Sequence, residues 1–240
     1  MNWLNQELLI LSITAISIGF FHTLLGPDHY LPFIVMARAR RWSLLKTGWI
    51  TFLCGIGHIM SSVLLGIIGA ALGIAVTRLE ILESFRGNLA AWALIAFGLV
   101  YFIWGLRQAI RNRPHAHLHD HIDEGDHVHT HVHNKEHLHI HNKEKSADLT
   151  PWVLFTIFIF GPCEPLIPIL MYPAAKKSIF GLVWVTSIFA AVTIATMLGV
   201  VIISTFGINL LPMKKLERYT HAIAGGTIFI CGLAIQFLGA

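Results

Sequence analysis

The chain has 240 residues, of which 55% are hydrophobic and only 12% are charged, and its mean hydropathy is +0.67. Soluble domains carry about 25% charged residues, so this composition excludes an ordinary soluble protein and predicts an integral membrane protein in contact with the lipid bilayer. The formal net charge is +4. Because the lysines and arginines cluster between apolar segments, this charge indicates membrane topology, and nucleic acid is not an expected partner.

Six apolar segments are long enough to cross a bilayer as α-helices, which takes roughly 20 residues each. In chain order they are 3–36, 47–76, 88–106, 150–175, 178–213 and 219–240. The predicted fold is therefore all-α, a polytopic membrane protein with six transmembrane helices. The start of the chain lacks the positively charged region of a cleavable signal peptide, so we expect the first segment to remain as a helix.

The two halves of the chain resemble each other when the sequence is shifted by 135 positions. GPDHYLPFIVM at 26–36 then aligns with GPCEPLIPILM at 161–171. Three spans in each half make the second half enter the membrane from the opposite side, which predicts two inverted three-helix repeats. The expected domains are a first repeat at 1–110, a His-rich loop at 111–148 and a second repeat at 149–240.

The orientation follows from the loops after spans one, three and five, which hold most of the basic residues, Arg40, Arg111 and Lys214 among them. Short loops rich in Lys and Arg stay in the cytoplasm. We therefore expect both termini outside and the His-rich loop in the cytoplasm. The expected location is a plasma membrane, of bacterial type.

Gly-Pro pairs at 26–27 and 161–162 interrupt the first and fourth segments. Proline has no backbone N–H and clashes with the preceding turn, so we expect both helices to break there and to free backbone carbonyls. Inverted-repeat transporters bind their substrates at such interruptions.

Ionisable side chains and thiols gather around these breaks. A charged side chain at the bilayer centre costs about 2.5 to 3.5 kcal/mol, and a divalent cation would compensate two carboxylates. Imidazole, carboxylate and thiolate together suit nickel, cobalt or zinc better than magnesium or calcium. The candidate metal ligands are His22, Asp28, His29, His58, Cys163 and Glu164. For His58 an interhelical hydrogen bond is the alternative, and for Cys163 the role of a small hydrophobic residue.

The central loop contains eleven histidines in H-x-H clusters. It lacks the apolar residues of a packed core and is expected to be at most loosely ordered. His-rich tracts are typical of metal binding, so we expect an auxiliary role in capturing ions, the alternative being a solvated linker. The histidines are His115, His117, His119, His121, His127, His129, His131, His133, His137, His139 and His141.

Three segments carry a resemblance to a known family: HTLLGPDHYLP at 22–32, GIGHIMSS at 55–62 and GPCEPLIP at 161–168. Together with the His-rich loop, they resemble the nickel/cobalt transporter superfamily, and most closely its urease-accessory-like membrane metal transporters. The resemblance implies a secondary transporter of nickel or cobalt, with zinc or iron also open, that is not an enzyme and has no prosthetic cofactor. It implies that His22, Asp28, His29 and His58 bind and pass the ion, and it leaves open the direction of transport and a homo-oligomer.

Two alternatives remain. Thiol electron carriers of cytochrome biogenesis and sulfite exporters have similar hydropathy. An electron carrier needs two cysteines that can pair. Cys163 follows a Gly-Pro break, but the residue at its place in the first repeat is Asp28, so only Cys54 could serve as its partner, and no spacing argument supports that pair. The three cysteines, Cys231 included, form no CxxC motif. An anion exporter would need cationic groups at midplane, where the sequence instead has acids and histidines.

Overall fold

The computed structural model describes residues 3–111, 115–119, 127–131, 149–161, 163, 165–176, 178–210 and 216–238. Within these ranges the chain forms eight α-helices and one pair of short strands. The helices are α1 (Trp3–Leu25), α2 (Leu31–Ala39), α3 (Leu44–Ala71), α4 (Val76–Arg111), α5 (Thr150–Phe160), α6 (Leu166–Ala175), α7 (Ile179–Leu210) and α8 (Thr220–Leu238). The strands are β1 (His115–His119) and β2 (His127–His131).

Among the residues that the structure describes, five helical segments are long and apolar enough to cross a membrane: Gln6–Leu25, Leu44–Ala71, Val76–Arg111, Ile179–Leu210 and Glu217–Leu238. The expectation of a helical, multi-pass membrane protein is confirmed. The predicted fourth span consists of α5 and α6, which have 11 and 10 residues and are each too short to span alone.

The first helix break lies between α1 and α2. Gly26 has extended backbone angles, and residues 27–29 form a single 3-10 turn. Pro27 has no N–H for the helical bond, while the Gly26 carbonyl accepts the His29 N–H at 3.1 Å. The hydroxyl of Tyr30 donates to the Leu24 carbonyl at 3.3 Å. Asp28 and His29 thus lie in the interruption between two helices.

The second break lies between α5 and α6. The Gly161 N–H donates to the Ile157 carbonyl at 3.0 Å and closes α5. The Cys163 carbonyl then accepts the Leu166 N–H at 2.9 Å and opens α6. Cys163 therefore lies between two helices and belongs to neither of them.

Both halves place their helix boundaries at the same spacing. The ends of α1 and α5, the starts of α2 and α6, and the starts of α3 and α7 are each 135 positions apart. Packing is reciprocal as well, since α1 contacts α7 while α5 contacts α3, and α2 contacts α8 while α6 contacts α4. Breaks and long helices are therefore placed alike in the two halves.

Helices α4 and α8 pack extensively against each other, and glycines allow their backbones to approach closely. A Cβ added at Gly98 would overlap the Phe229 backbone, and one at Gly225 would overlap the Phe102 backbone. Helices in lipid associate through such small residues, because lipid tails give no hydrophobic drive for helices to meet. The α4–α8 pair therefore depends on glycine at these positions.

The His-rich loop contains backbone structure that the sequence did not predict. Strands β1 and β2 pair antiparallel, with His115 opposite His131, His117 opposite His129, and His119 opposite His127. The loop is expected to be at most loosely ordered because it lacks an apolar core, and these ten residues nevertheless pair, since β-ladder hydrogen bonds form between backbones without such a core.

Candidate functional site

Three of the predicted histidines converge at the first helix break. His22 lies on the last turn of α1, His29 in the 3-10 turn and His58 in the middle of α3. One ring nitrogen from each lies within 4.8 Å of the others. The His29 ring is 4.8 Å from the His22 ring and 5.1 Å from the His58 ring, between centroids, and both pairs are nearly perpendicular. We call these three residues the histidine cluster.

Asp28 contacts the cluster through His29. Its Oδ1 lies 3.0 Å from His29 Nδ1, which is also 3.2 Å from the Gly26 carbonyl oxygen. His29 and His58 are each only 2% exposed. Asp28 thus lies beside the cluster and is not grouped with it as a further ligand among the described residues.

A cavity of about 740 Å³ reaches the cluster. It is lined by His22, Asp28 and His29, and on its other side by Asn88 of α4 and Gln236 of α8. The Gln236 amide donates to the Asn88 side chain at 3.0 Å. Two of the three histidines therefore line this cavity, while His58 borders a much smaller void.

A second polar cluster surrounds Cys163, and the sequence analysis missed it. Glu83 of α4 is fully buried. Its Oε2 accepts the Cys163 backbone N–H at 3.2 Å and the Ser62 hydroxyl at 3.1 Å. Arg86 pairs with Glu83 Oε1, and also donates to the Ile159 carbonyl at 2.7 Å. Through these contacts α4 holds both sides of the second helix break.

The predicted third span began too late to include this pair. We expected residues before 88 to form an external loop, whereas α4 begins at Val76. Two opposite charges three residues apart on a helix neutralise each other, so they do not exclude membrane insertion. Glu83 and Arg86 are three residues apart, and this spacing of opposite charges could have indicated that the predicted helix begins before residue 88.

The three cysteines are all buried and unbonded to one another. Cys54 lies in α3 and Cys231 in α8. Cys163, 0% exposed, lies in the second break near Glu83 and is not grouped with the three histidines. His58 borders this break too, since a Cβ at Gly161 would lie 3.1 Å from its Nδ1. The structure therefore brings the three histidines together and leaves the thiol outside their group.

Other predicted residues fall outside the described part of the chain. These are Glu164, His121, His133, His137, His139 and His141. The remaining loop histidines belong to β1 and β2, whose backbone alone is described.

A comparison with protein families gives one match. The model described as "Cytochrome C biogenesis protein transmembrane region" matches residues 31–234. No curated protein and no solved structure matches the chain. The matched segment begins after His29 and contains all three cysteines.

This match overturns the resemblance to nickel/cobalt transporters and, with it, the interpretation of the chain as a transporter of nickel, cobalt, zinc or iron. The three motifs behind that interpretation are short, and two of them include a Gly-Pro break. Such breaks recur in membrane proteins because they open backbone within a helix. A match from α2 through most of α8 outweighs them.

Proposed function

The chain belongs to the cytochrome c biogenesis transmembrane family, and from this premise we propose that it carries reducing equivalents across the membrane by thiol chemistry. The observation that carries this proposal is the family match over 31–234, which includes Cys54, Cys163 and Cys231. The alternative that the sequence left open thus replaces metal transport. The proposal assigns no prosthetic group and no enzymatic turnover of a small molecule.

Cys163 is the reacting thiol in this proposal. Its position between α5 and α6 supports this role, because a residue outside regular helix can move without breaking a helical hydrogen-bond ladder. Ser62 and Glu83 bind its backbone N–H, at 3.3 and 3.2 Å. These bonds fix the thiol in a resting position, and Glu83 supplies a carboxylate nearby that can accept a proton.

Cys54 is the partner thiol. It precedes Ser62 by eight residues on α3, about 12 Å along the helix axis, whereas a disulfide needs Cα atoms about 4.4 to 6.8 Å apart. Pairing with Cys163 therefore requires the α5–α6 segment to shift along α3. Such a movement would alternately expose the thiol to the two sides of the membrane.

The chemical step is thiol–disulfide exchange. The two thiols of Cys54 and Cys163 become one disulfide and release two electrons and two protons. A disulfide of a partner protein accepts both and becomes a dithiol. A dithiol protein on the other side of the membrane reverses the step and restores the two thiols.

Proteoliposomes test this function. A reduced dithiol protein is added outside, and a membrane-impermeant disulfide reporter is enclosed. We expect Cys54→Ser and Cys163→Ser each to stop reduction of the reporter, and Cys231→Ser, the matched control, to leave it unchanged. Full reduction by the Cys54→Ser and Cys163→Ser proteins would refute the thiol mechanism.

The membrane arrangement is part of the proposal. Six spans in two inverted repeats, with α5 and α6 together forming the fourth, are supported by the 135-residue spacing of helix boundaries and by the reciprocal packing. Both termini lie outside and the His-rich loop in the cytoplasm of a bacterial cell. Impermeant labelling of cysteines introduced at Asn2 and at Gly125 tests this, since the two must react from opposite sides.

An anion exporter is not favoured. Arg86 is a cation within the helix bundle, but Glu83 neutralises it, and its Nη2 donates to the Ser61 hydroxyl and the Ile159 carbonyl. An anion would have to displace a buried carboxylate from it.

A further inference from the structure

We propose that His22, His29 and His58 form a binding site for one divalent transition-metal ion at the first helix break. This inference concerns binding by the resting protein. It is independent of the thiol chemistry proposed above, because none of the three histidines lies in the cluster around Cys163.

The ring nitrogens of the histidine cluster lack hydrogen-bond partners. His22 Nε2, His29 Nε2 and both ring nitrogens of His58 are buried without a hydrogen-bond partner within the part of the chain that the structure describes. Leaving a buried polar atom unpaired costs about 1 to 3 kcal/mol. Three buried imidazoles that lack hydrogen-bond partners at one place indicate a bound cation that accepts the lone pairs of their nitrogens.

The tautomer of His29 leaves its Nε2 free to bind a metal ion. Its Nδ1 is within hydrogen-bond distance of the Gly26 carbonyl oxygen and of Asp28 Oδ1. A carbonyl oxygen can only accept, so Nδ1 carries the proton, and in the neutral ring Nε2 presents a bare lone pair. A histidine that donates one N–H to a carboxylate and offers its other nitrogen outward is the arrangement found at protein metal sites.

Asp28 therefore has a positioning role. It orients the His29 ring and increases its basicity, and the negative charge of Asp28 partly compensates a bound cation. This differs from the ligand role that the sequence suggested for it. A Cβ at Gly26 would lie 2.6 Å from His29 Nδ1 and 2.9 Å from Asp28 Oδ1, so glycine at this position is required for the arrangement.

The chemical class of the ion follows from the donors. Three neutral imidazoles suit zinc, cobalt, nickel or copper, whereas magnesium and calcium require oxygen ligands. The ligand atoms lie within 4.8 Å of one another, and tetrahedral Zn–N bonds of about 2.0 to 2.1 Å place ligand nitrogens about 3.3 Å apart. Small side-chain rotations close this difference, and the cavity beside His22 and His29 provides entry and room for a water as fourth ligand.

Titration of the full chain with Co²⁺ in detergent tests the site, because the visible d–d absorption of Co²⁺ reports nitrogen ligands directly. The eleven loop histidines are first replaced by asparagine in the full-length parent, so that they do not compete. We expect this parent to bind one Co²⁺ per chain. His29→Ala and His58→Ala should abolish the absorption, and Asp28→Asn should weaken affinity by about 10- to 100-fold, the usual effect of losing a carboxylate behind a histidine ligand.

The matched control is His221→Ala. His221 Nδ1 bonds to the Tyr101 hydroxyl at 2.8 Å, outside the histidine cluster, so this variant should titrate like the parent. Thermal unfolding separates misfolding from lost binding, since Co²⁺ should raise the Tm of the parent and of His221→Ala but not that of His58→Ala. If the alanine variants do not fold, the Co²⁺ affinity of the isosteric Asp28→Asn variant tests the site. Absence of Co²⁺ absorption in the parent, or parent-like affinity in Asp28→Asn and His58→Ala, would overturn the inference.

Discussion

The backbone N–H of Cys163 donates to the carboxylate of Glu83 at 3.2 Å, across 80 residues of sequence. This bond joins the second helix break to the first third of α4. Glu83 also forms an ion pair with Arg86, and Arg86 donates a hydrogen bond to the carbonyl of Ile159 at the end of α5. The break is therefore fixed on both sides by one buried ion pair.

Glu83→Ala should destabilise the protein by about 3 to 5 kcal/mol, because removing one member of a buried pair leaves the other charge uncompensated. Unfolding in mixed detergent micelles, followed by circular dichroism, measures this. Glu80→Ala is the matched control, since Glu80 is exposed on the same helix, and it should stay close to the parent. Restored stability in a Glu83→Leu/Arg86→Met double variant would identify the charge as the cause. Equal stability of Glu83→Ala and Glu80→Ala would contradict the buried pair.

Glu83→Gln should increase the reactivity of Cys163. The glutamine amide oxygen can still accept the Cys163 N–H, but it lacks the charge that brings such a bond to roughly 1.5 to 3 kcal/mol. The weaker bond should raise labelling of Cys163 by a maleimide about three- to tenfold. Mass spectrometry of labelled peptides gives the rate at each cysteine. Cys231, buried in α8, is an internal reference whose rate should not change. A parallel rise in the labelling rate of Cys231 would indicate that the whole helix bundle has become more open. It would contradict a local effect of the hydrogen bond between Glu83 and Cys163.

Alanine at two glycines should have effects of opposite sign. Gly98→Ala places a methyl group against the Phe229 backbone, and overpacking of this kind costs about 1 to 3 kcal/mol. Gly199→Ala in α7 meets nothing within 4 Å, and replacing a helical glycine with alanine there should stabilise by about 0.5 to 1 kcal/mol. Denaturation of the two variants side by side measures the difference. Equal effects would show that α4 and α8 do not pack closely.

The ion pair between Lys176 and Glu7 should be weak and sensitive to alkaline pH. Lys176 Nζ lies 2.7 Å from Glu7 Oε1, and hydrogen bonds to Glu7 and Tyr172 raise the pKa of Lys176 above its ordinary 10.5. A lysine with a raised folded pKa contributes stability below 10.5 and loses it as the pH rises through the folded value. The coupling in a Lys176→Gln/Glu7→Gln double-mutant cycle should therefore be small at neutral pH, decrease with salt, and vanish above the folded pKa. Coupling that persists there would contradict this origin.

The helix breaks were predictable because their cause is local. Proline lacks an N–H and clashes with the preceding turn, so Gly-Pro within an apolar run favours a helix end at that position. Convergence of His22, His29 and His58 was only partly predictable. The first two are close in sequence, but the approach of α3 depends on packing that no short motif encodes.

The Glu83–Arg86 pair was missed because hydropathy treats each charge singly. Two opposite charges that neutralise each other inside a bundle cost far less than either charge alone. The short motifs also misled the assignment of function, since residues beside a helix break were taken as evidence of metal transport. The longer family match, from residue 31 to 234, includes the cysteines and begins after His22 and His29.

The sequence alone determined that this protein is a helical membrane protein with interrupted helices, because apolar length and proline act through local chemistry and the bilayer. Only the tertiary structure decided which groups meet: three histidines at one break, and a buried carboxylate on the backbone of Cys163 at the other. Those meetings depend on helix packing, in which the closeness of α4 and α8 is set by glycines and by partners far apart in the chain.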